Sequence, residues 1–161
     1  MRRPNALRVD MFGNLIGAGE DPVFEILQDM TGLNERPHPH FPKVGIYRQL
    51  PVSYVYDNEQ MKYLAEFHKK SSVDIFLVTA DDDNNPRLCK IAVRVEGKKG
   101  DLKIQRQGVQ KWLLSKWCQV VDVHKRNCNE LFKDRVNEKS RLELLNSFKE
   151  ARVELPILKQ I

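Results

Sequence analysis

Apolar and polar positions along this chain fall into blocks the length of strands and helices. Residues 73–79, VDIFLVT, are apolar almost without interruption, the pattern of a central strand covered on both faces. Residues 88–95, LCKIAVRV, alternate instead. Cys89, Ile91, Val93 and Val95 fall on one side, with Lys90 and Arg94 on the other, which predicts one buried face and one basic face. Between the two runs lies ADDDNNP. Three consecutive aspartates point in different directions and do not converge on a metal, so this is a solvated turn. It leaves through Pro86, which has no N–H to lose.

The remaining pattern supplies further elements. Residues 8–16, RVDMFGNLI, read as a strand, a Gly13-Asn14 turn and a second strand. Val23, Ile26, Leu27 and Met30 recur at helical spacing over 22–30, with Asp21 as N-cap, Pro22 at the first helical position and Gly32 at the end. Three prolines in 35–45 predict an extended connector. A strand is expected at 52–56, VSYVY, then a helix over 57–70 with Met61, Leu64, Ala65 and His68 on one face. Asp101 to Trp117 reads as a helix with Leu102, Val109, Trp112 and Leu113 toward the core, and Trp117 partly exposed. Cys118–His124 reads as a strand, 127–135 as a polar basic loop, and the residues after Asn137 as a helix with Leu142, Leu145 and Phe148 inward. Arg152–Leu158 is expected as an edge strand, because Pro156 removes a donor. The order is β-α-β upstream of the turn and β-α-β-α-β from Leu88.

Charge divides the chain at the same turn. Residues 1–85 hold 9 Lys and Arg against 13 Asp and Glu, a net of −4, and residues 86–161 hold 18 against 9, a net of +9. A basic half implies a polyanionic partner. Apolar runs are strand-length, so no membrane span is expected. Cys89, Cys118 and Cys128 are odd in number and lack C-x-x-C spacing, which argues against disulfides or a zinc site and for a reducing compartment. His38 and His40 have no neighbouring carboxylate or thiol to complete a ligand set.

The sequence lacks G-x-G-x-x-G, a P-loop, G-x-S-x-G and H-E-x-x-H, so no enzyme, cofactor or small-molecule substrate is expected. The basic residues carry the functional expectation. Lys103, Arg106 and Lys111, with Gln107 and Gln110, share a helix face; Lys125, Arg126, Lys133 and Arg135 follow the next strand; Lys139 and Arg141 open the last helix. Cations mixed with amides suit the phosphates and 2′-hydroxyls of folded RNA. No aromatic run interrupts a strand, so stacking of single-stranded RNA on the sheet is not indicated.

VDIFLVTADDDNNPRLCKI resembles the N-terminal domain of bacterial-type translation initiation factor three, in which an hDLVhV-type strand, a polar turn and a P-V-C-K-I-type strand succeed one another. KKGDLKIQRQGVQKWLLSKW resembles the first helix of that family's C-terminal domain, Cys118–Arg126 its next strand, and VNEKSRLELLNSFKE its second helix. The resemblance spans about residues 52–158. It implies an α/β (α+β) chain of two small mixed-sheet units, β-α-β-β at 51–95 and β-α-β-α-β at 96–161, preceded by an N-terminal extension and connector at 1–50. Departures are a missing inter-domain linker, Gln105 at an expected lysine, no final strand, and no counterpart for 18–50.

By this resemblance the chain binds the small ribosomal subunit, through rRNA and alongside ribosomal proteins. It hinders early joining of the large subunit and aids start selection. The implied RNA-binding residues are Lys103, Arg106, Lys111, Lys125, Arg126, Lys133, Arg135 and Lys139. The arginine-bearing start, MRRPNALR, points to a mitochondrial location, with the cytoplasm as the alternative. The departures leave two alternatives open: a structural component of a mitochondrial ribosome, with 18–50 as a contact arm, or a small basic protein-binding module.

Overall fold

The computed structural model describes residues 8–9, 15–16, 20–55, 72–80, 87–95, 110–123 and 138–155. The expected helix at 57–70 and the turn at 81–86 lie outside these residues. The chain is an α+β protein built on a four-stranded mixed sheet. A short antiparallel pair precedes it, β1 (Arg8–Val9) with β2 (Leu15–Ile16), where the hairpin was expected. Helix α1 follows (Glu20–Thr31). It begins one residue before Asp21, which therefore lies inside the first turn with Pro22. Gly32 stops it at φ 67°, donating to the Gln28 carbonyl at 2.8 Å, a conformation glycine reaches without a Cβ penalty.

The sheet runs β3 (Gly45–Pro51), β4 (Ser72–Ala80), β5 (Leu88–Val95), β6 (Gln119–Val123) in both chain and spatial order. β4 is antiparallel to both β3 and β5; β6 lies parallel to β5, with Ile91 opposite Gln119 and Val95 opposite Val123. A parallel neighbour requires a crossover, and that crossover includes a helical segment at 110–114, α2. Helix α3 is Glu138–Glu150. The sheet thus takes strands from all three expected segments, 1–50, 51–95 and 96–161.

Both sheet faces are covered. On the first, Ile46, Ile75, Leu77, Ile91, Val93, Val121 and Val123 pack with Val23, Phe24, Ile26 and Leu27 of α1 and Leu144 and Phe148 of α3. On the second, Tyr47, Leu50, Val73, Phe76, Val78 and Ala92 pack with Leu113 and Leu114 of α2 and with Val52 and Val55. The uninterrupted apolar run of β4 is explained by this double burial, as expected. The expectation for β5 is corrected: Ala92 is fully buried and Arg94 nearly so, hence its second face is not a solvated basic surface.

Other elements also differ. The strand expected at 52–56 lies earlier, at β3, and Val52–Tyr54 is a 3-10 turn. The connector at 35–45 is not simply extended. Asn34–Arg36 pairs in parallel along the outer edge of β3, Ile46 donating to Asn34 at 2.9 Å and Arg36 to Ile46 at 2.9 Å. A 3-10 turn, His38–His40, and a cis Phe41–Pro42 bond follow. Residues 20–50 therefore contribute a helix and a strand to the core rather than an arm. In α3 Phe148 is buried and Leu145 packs half-buried on the first core, as expected, but Leu144 is the other buried position and Leu142 is exposed. Residues 153–155 do not form the expected strand. Val153 donates to Phe148 and Arg152 to Lys149, both at 3.0 Å, closing the helix with Arg152 at φ 56°. This cap drops Val153 and Leu155 into the first core. Among the described residues no helix is long and apolar enough to cross a membrane.

Alternation breaks at one place. Val73 faces the second core and Ile75 the first, although a two-residue step keeps a side. The break lies at Asp74, and across from it Gln49 sits at φ 47°. Gln49 Nε2 donates to Asp74 at 3.4 Å, Ser72 Oγ donates to Gln49 at 2.6 Å, and Asp74 Oδ2 accepts the Val95 N–H at 2.7 Å.

Two substitutions test these backbone requirements by urea unfolding. A Cβ on Gly45 meets the Asn34 carbonyl oxygen and the Arg36 stem at 2.8 Å. Gly45→Ala is expected to cost about 1–3 kcal/mol, seen as a lower midpoint at unchanged slope. Arg152→Gly relieves left-handed strain and is expected to gain about 0.5–1 kcal/mol.

Candidate functional site

The parallel strands β5 and β6 end side by side, where α/β sheets commonly place their ligands. Arg94 and Asp122 are register partners at this end, on the second face. Arg94 Nε lies 2.7 Å from Asp122 Oδ1, and Lys111 Nζ lies 3.0 Å from Asp122 Oδ2. Arg94 Nη1 also donates to Gln110 Oε1 at 3.4 Å, and Gln110 Nε2 to the Ser72 carbonyl at 3.3 Å. Helix α2 is thus tied across the end of β4, β5 and β6 by side chains that satisfy one another.

The charges explain the tie. Burial pushes the Asp122 carboxyl upward, but hydrogen bonds and charge from Arg94, then from Lys111, outweigh it and hold the group below its ordinary range. Arg94 and Asp122 side chains are 10% and 16% exposed, so neither has water as an adequate partner. Lys111 is 54% exposed and combines this contact with access to solvent.

Lys111 alone among the eight expected RNA-binding residues has a described side chain. Lys139 lies in the first turn of α3. Lys103, Arg106, Lys125, Arg126, Lys133 and Arg135 lie outside the described residues. The structure does place the anchors of their segments together: 96–109 leaves the sheet after Val95 and 124–137 after Val123, and these two residues are opposite one another.

Two features were not foreseen. Trp112, expected in the core, is 57% exposed, with Lys116 Nζ 4.0 Å from its ring centroid; Leu114 takes the inward place beside Leu113. The sequence pattern places Leu113 and Leu114 on adjacent positions, and a helix so short can bury both by turning Trp112 outward. Trp117 is half-buried against the second core. The second feature is the Arg94–Asp122 pair, for which the sequence offered only two charges in separate strands, Arg94 in LCKIAVRV and Asp122 in QVVDV.

Cys89 and Cys118 are free and half-buried. Burial pushes the Cys118 thiol up to about 12, against smaller lowering by the Ala92 backbone and Lys90, so it stays protonated at neutral pH. Among the described residues no group of His, Cys, Asp and Glu is arranged to hold a metal. No family model matches the chain, and neither a curated protein nor a solved structure matches it.

Asp122→Asn removes the carboxylate charge that Arg94 and Lys111 share and is expected to cost about 3 kcal/mol. The double variant Arg94→Met, Asp122→Leu should recover most of that loss, because it removes both charges and fills the same layer. The pH dependence has a definite sign. The carboxyl is held below its unfolded value of about 3.9, so its contribution is complete above that value and is lost as pH falls through the lower, folded value. The stability gap between the parent and Asp122→Asn, read from urea midpoints at a series of pH values, should therefore be full above about pH 4 and shrink as pH falls below it.

Proposed function

We propose that the protein binds the small ribosomal subunit through ribosomal RNA, as a factor of the initiation-factor-three kind that hinders early joining of the large subunit and aids start selection. One observation carries the proposal. The segments 96–109 and 124–137, which hold Lys103, Arg106, Lys125, Arg126, Lys133 and Arg135, depart from neighbouring residues of one sheet end, Val95 and Val123. Chain connectivity alone therefore starts both basic segments at one site. Lys111, exposed beside the same end, and the +9 charge of the second half support a polyanion as partner. The antiparallel β4–β5 pair also agrees with the strand–turn–strand order of the family resemblance. The protein acts by binding, with no cofactor or small-molecule substrate. Its site of action is the mitochondrion by the arginine-bearing N-terminus, or else the cytoplasm.

A second reading, a permanent component of a mitochondrial ribosome, is favoured by a different observation. β6 pairs with β5 from Ile91–Gln119 to Val95–Val123, so strands from the two units implied by the resemblance lie side by side in one sheet. A small basic protein-binding module remains the competitor in which RNA has no part.

Sedimentation with isolated small subunits separates these. A factor should co-sediment at low salt and be released as salt rises; about six phosphate contacts correspond to roughly a thousandfold loss of affinity between 50 and 200 mM salt. A permanent component stays with purified subunits through a high-salt wash. Failure to co-sediment at either salt, with no ribosomal RNA recovered from cells alongside the protein, leaves only the protein-binding module.

A further inference from the structure

We propose that Trp112 and Lys116 form a stacking platform for one unpaired nucleotide of single-stranded RNA, an inference that rests on the RNA-binding reading above. Among the described residues Trp112 is the most exposed of the large apolar side chains, and it lies on α2, the element tied to the sheet end formed by Val95 and Val123. Its indole is covered in the free protein by the Lys116 ammonium, 4.0 Å from the ring centroid. Residues 112 and 116 are one helical step of four apart, the spacing that brings such a pair together.

The surroundings choose the occupant. Lys111, Ser115 and Lys116, the neighbours of Trp112 in sequence and helical position, are all exposed and polar. Val44, Tyr54, Leu88 and Leu142, the other exposed large apolar residues among those described, belong to other segments. A protein hot spot sets its tryptophan within a packed, desolvated patch. One exposed aromatic face with an ammonium over it instead matches a nucleotide, whose base has a π-face and whose phosphate has a charge. Among the described residues Lys116 has no carboxylate partner, and its contact is the ring itself. An ammonium over an exposed ring is held only weakly. A phosphate gives Lys116 a full counter-charge while the base takes over the vacated indole, so both groups gain from one exchange. Ser115 Oγ donates to the Trp112 carbonyl at 2.7 Å and fixes the turn that presents them. Any base satisfies the ring, so the platform is indifferent to sequence.

The test uses the full chain and a twelve-nucleotide oligouridine, read by tryptophan fluorescence and by affinity at fixed salt. Binding should quench the emission, and Trp112→Phe should abolish most of that quench while Trp117 remains. Trp112→Ala should weaken binding about 5- to 100-fold, Trp112→Phe much less, with urea midpoints unchanged because the side chain is exposed. Lys116→Ala should reduce the slope of log affinity against log salt by about 0.7. Oligouridine binding that is equal in Trp112→Ala and the parent overturns the platform and leaves the RNA reading standing. So does binding of small-subunit RNA without binding of oligouridine. Loss of whole-subunit association in Trp112→Ala, with oligouridine binding intact, reassigns the surface to a protein contact. Binding of no RNA of either kind overturns both proposals.

Discussion

A sheet covered on both faces has no wet side, so each charge placed on it must bring its counter-charge with it. A lone buried ion costs several kcal/mol, and a close partner with further hydrogen bonds is what makes it tolerable. Two arginines meet this condition. Arg94 of β5 faces Asp122 of β6, and Arg48 of β3 faces Glu35 at 3.3 Å, with side chains 10% and 9% exposed. The Arg48 guanidinium also lies 3.5 Å over the Phe24 ring. Much of the architecture follows. Asp122 draws α2 across the sheet end through Lys111, and Glu35 accompanies the Asn34–Arg36 segment that closes the outer edge of β3. Closing that edge matters, because an open strand invites pairing with another chain.

The same constraint separates what was legible in the sequence from what was not. β4 was plain, because VDIFLVT needs no partner to explain its burial. α1 and α3 were legible as elements, since their periodicity is local, although the inward face of α3 includes Leu144 where Leu142 was expected. β3 was missed because GIYRQLP carries Arg48 and Gln49 in its middle. Their burial depends on Glu35, Ser72 and Asp74, which are distant or unremarkable in sequence. VSYVY looked more like a strand by propensity, yet β3 ends at Pro51 and the chain turns through Val52–Tyr54. The second face of β5 was misjudged for the same reason: Arg94 read as solvated while its partner lay in another strand. Left-handed Gln49 and Arg152 were invisible too, since neither residue type announces positive φ.

The candidate site was legible in charge more than in geometry. The change of sign near residue 85 survives as a spatial statement only because β5 and β6 run parallel and finish together. An antiparallel β6 would have sent the segment after it to the opposite end of the sheet. Lys111 shows the limit of counting cations, since it both neutralises a buried carboxylate and faces solvent. Trp112 shows the limit of assuming that a large apolar side chain in a helix points inward. With Leu113 and Leu114 both at the core, the helix had no inward position left for it.

The first core is closed by helices from opposite ends of the described chain. Phe24 and Leu27 of α1 and Phe148 of α3 share that core, and Asp29 pairs with Arg141 between the two helices. During synthesis, then, the sheet can assemble well before its first face is complete. Ile91, Val93, Val121 and Val123 must wait for α3 to emerge, so the nascent chain carries an open apolar surface until Leu144 and Phe148 have been made. A chain interrupted before α3 is thereby marked by the greasy face it leaves exposed.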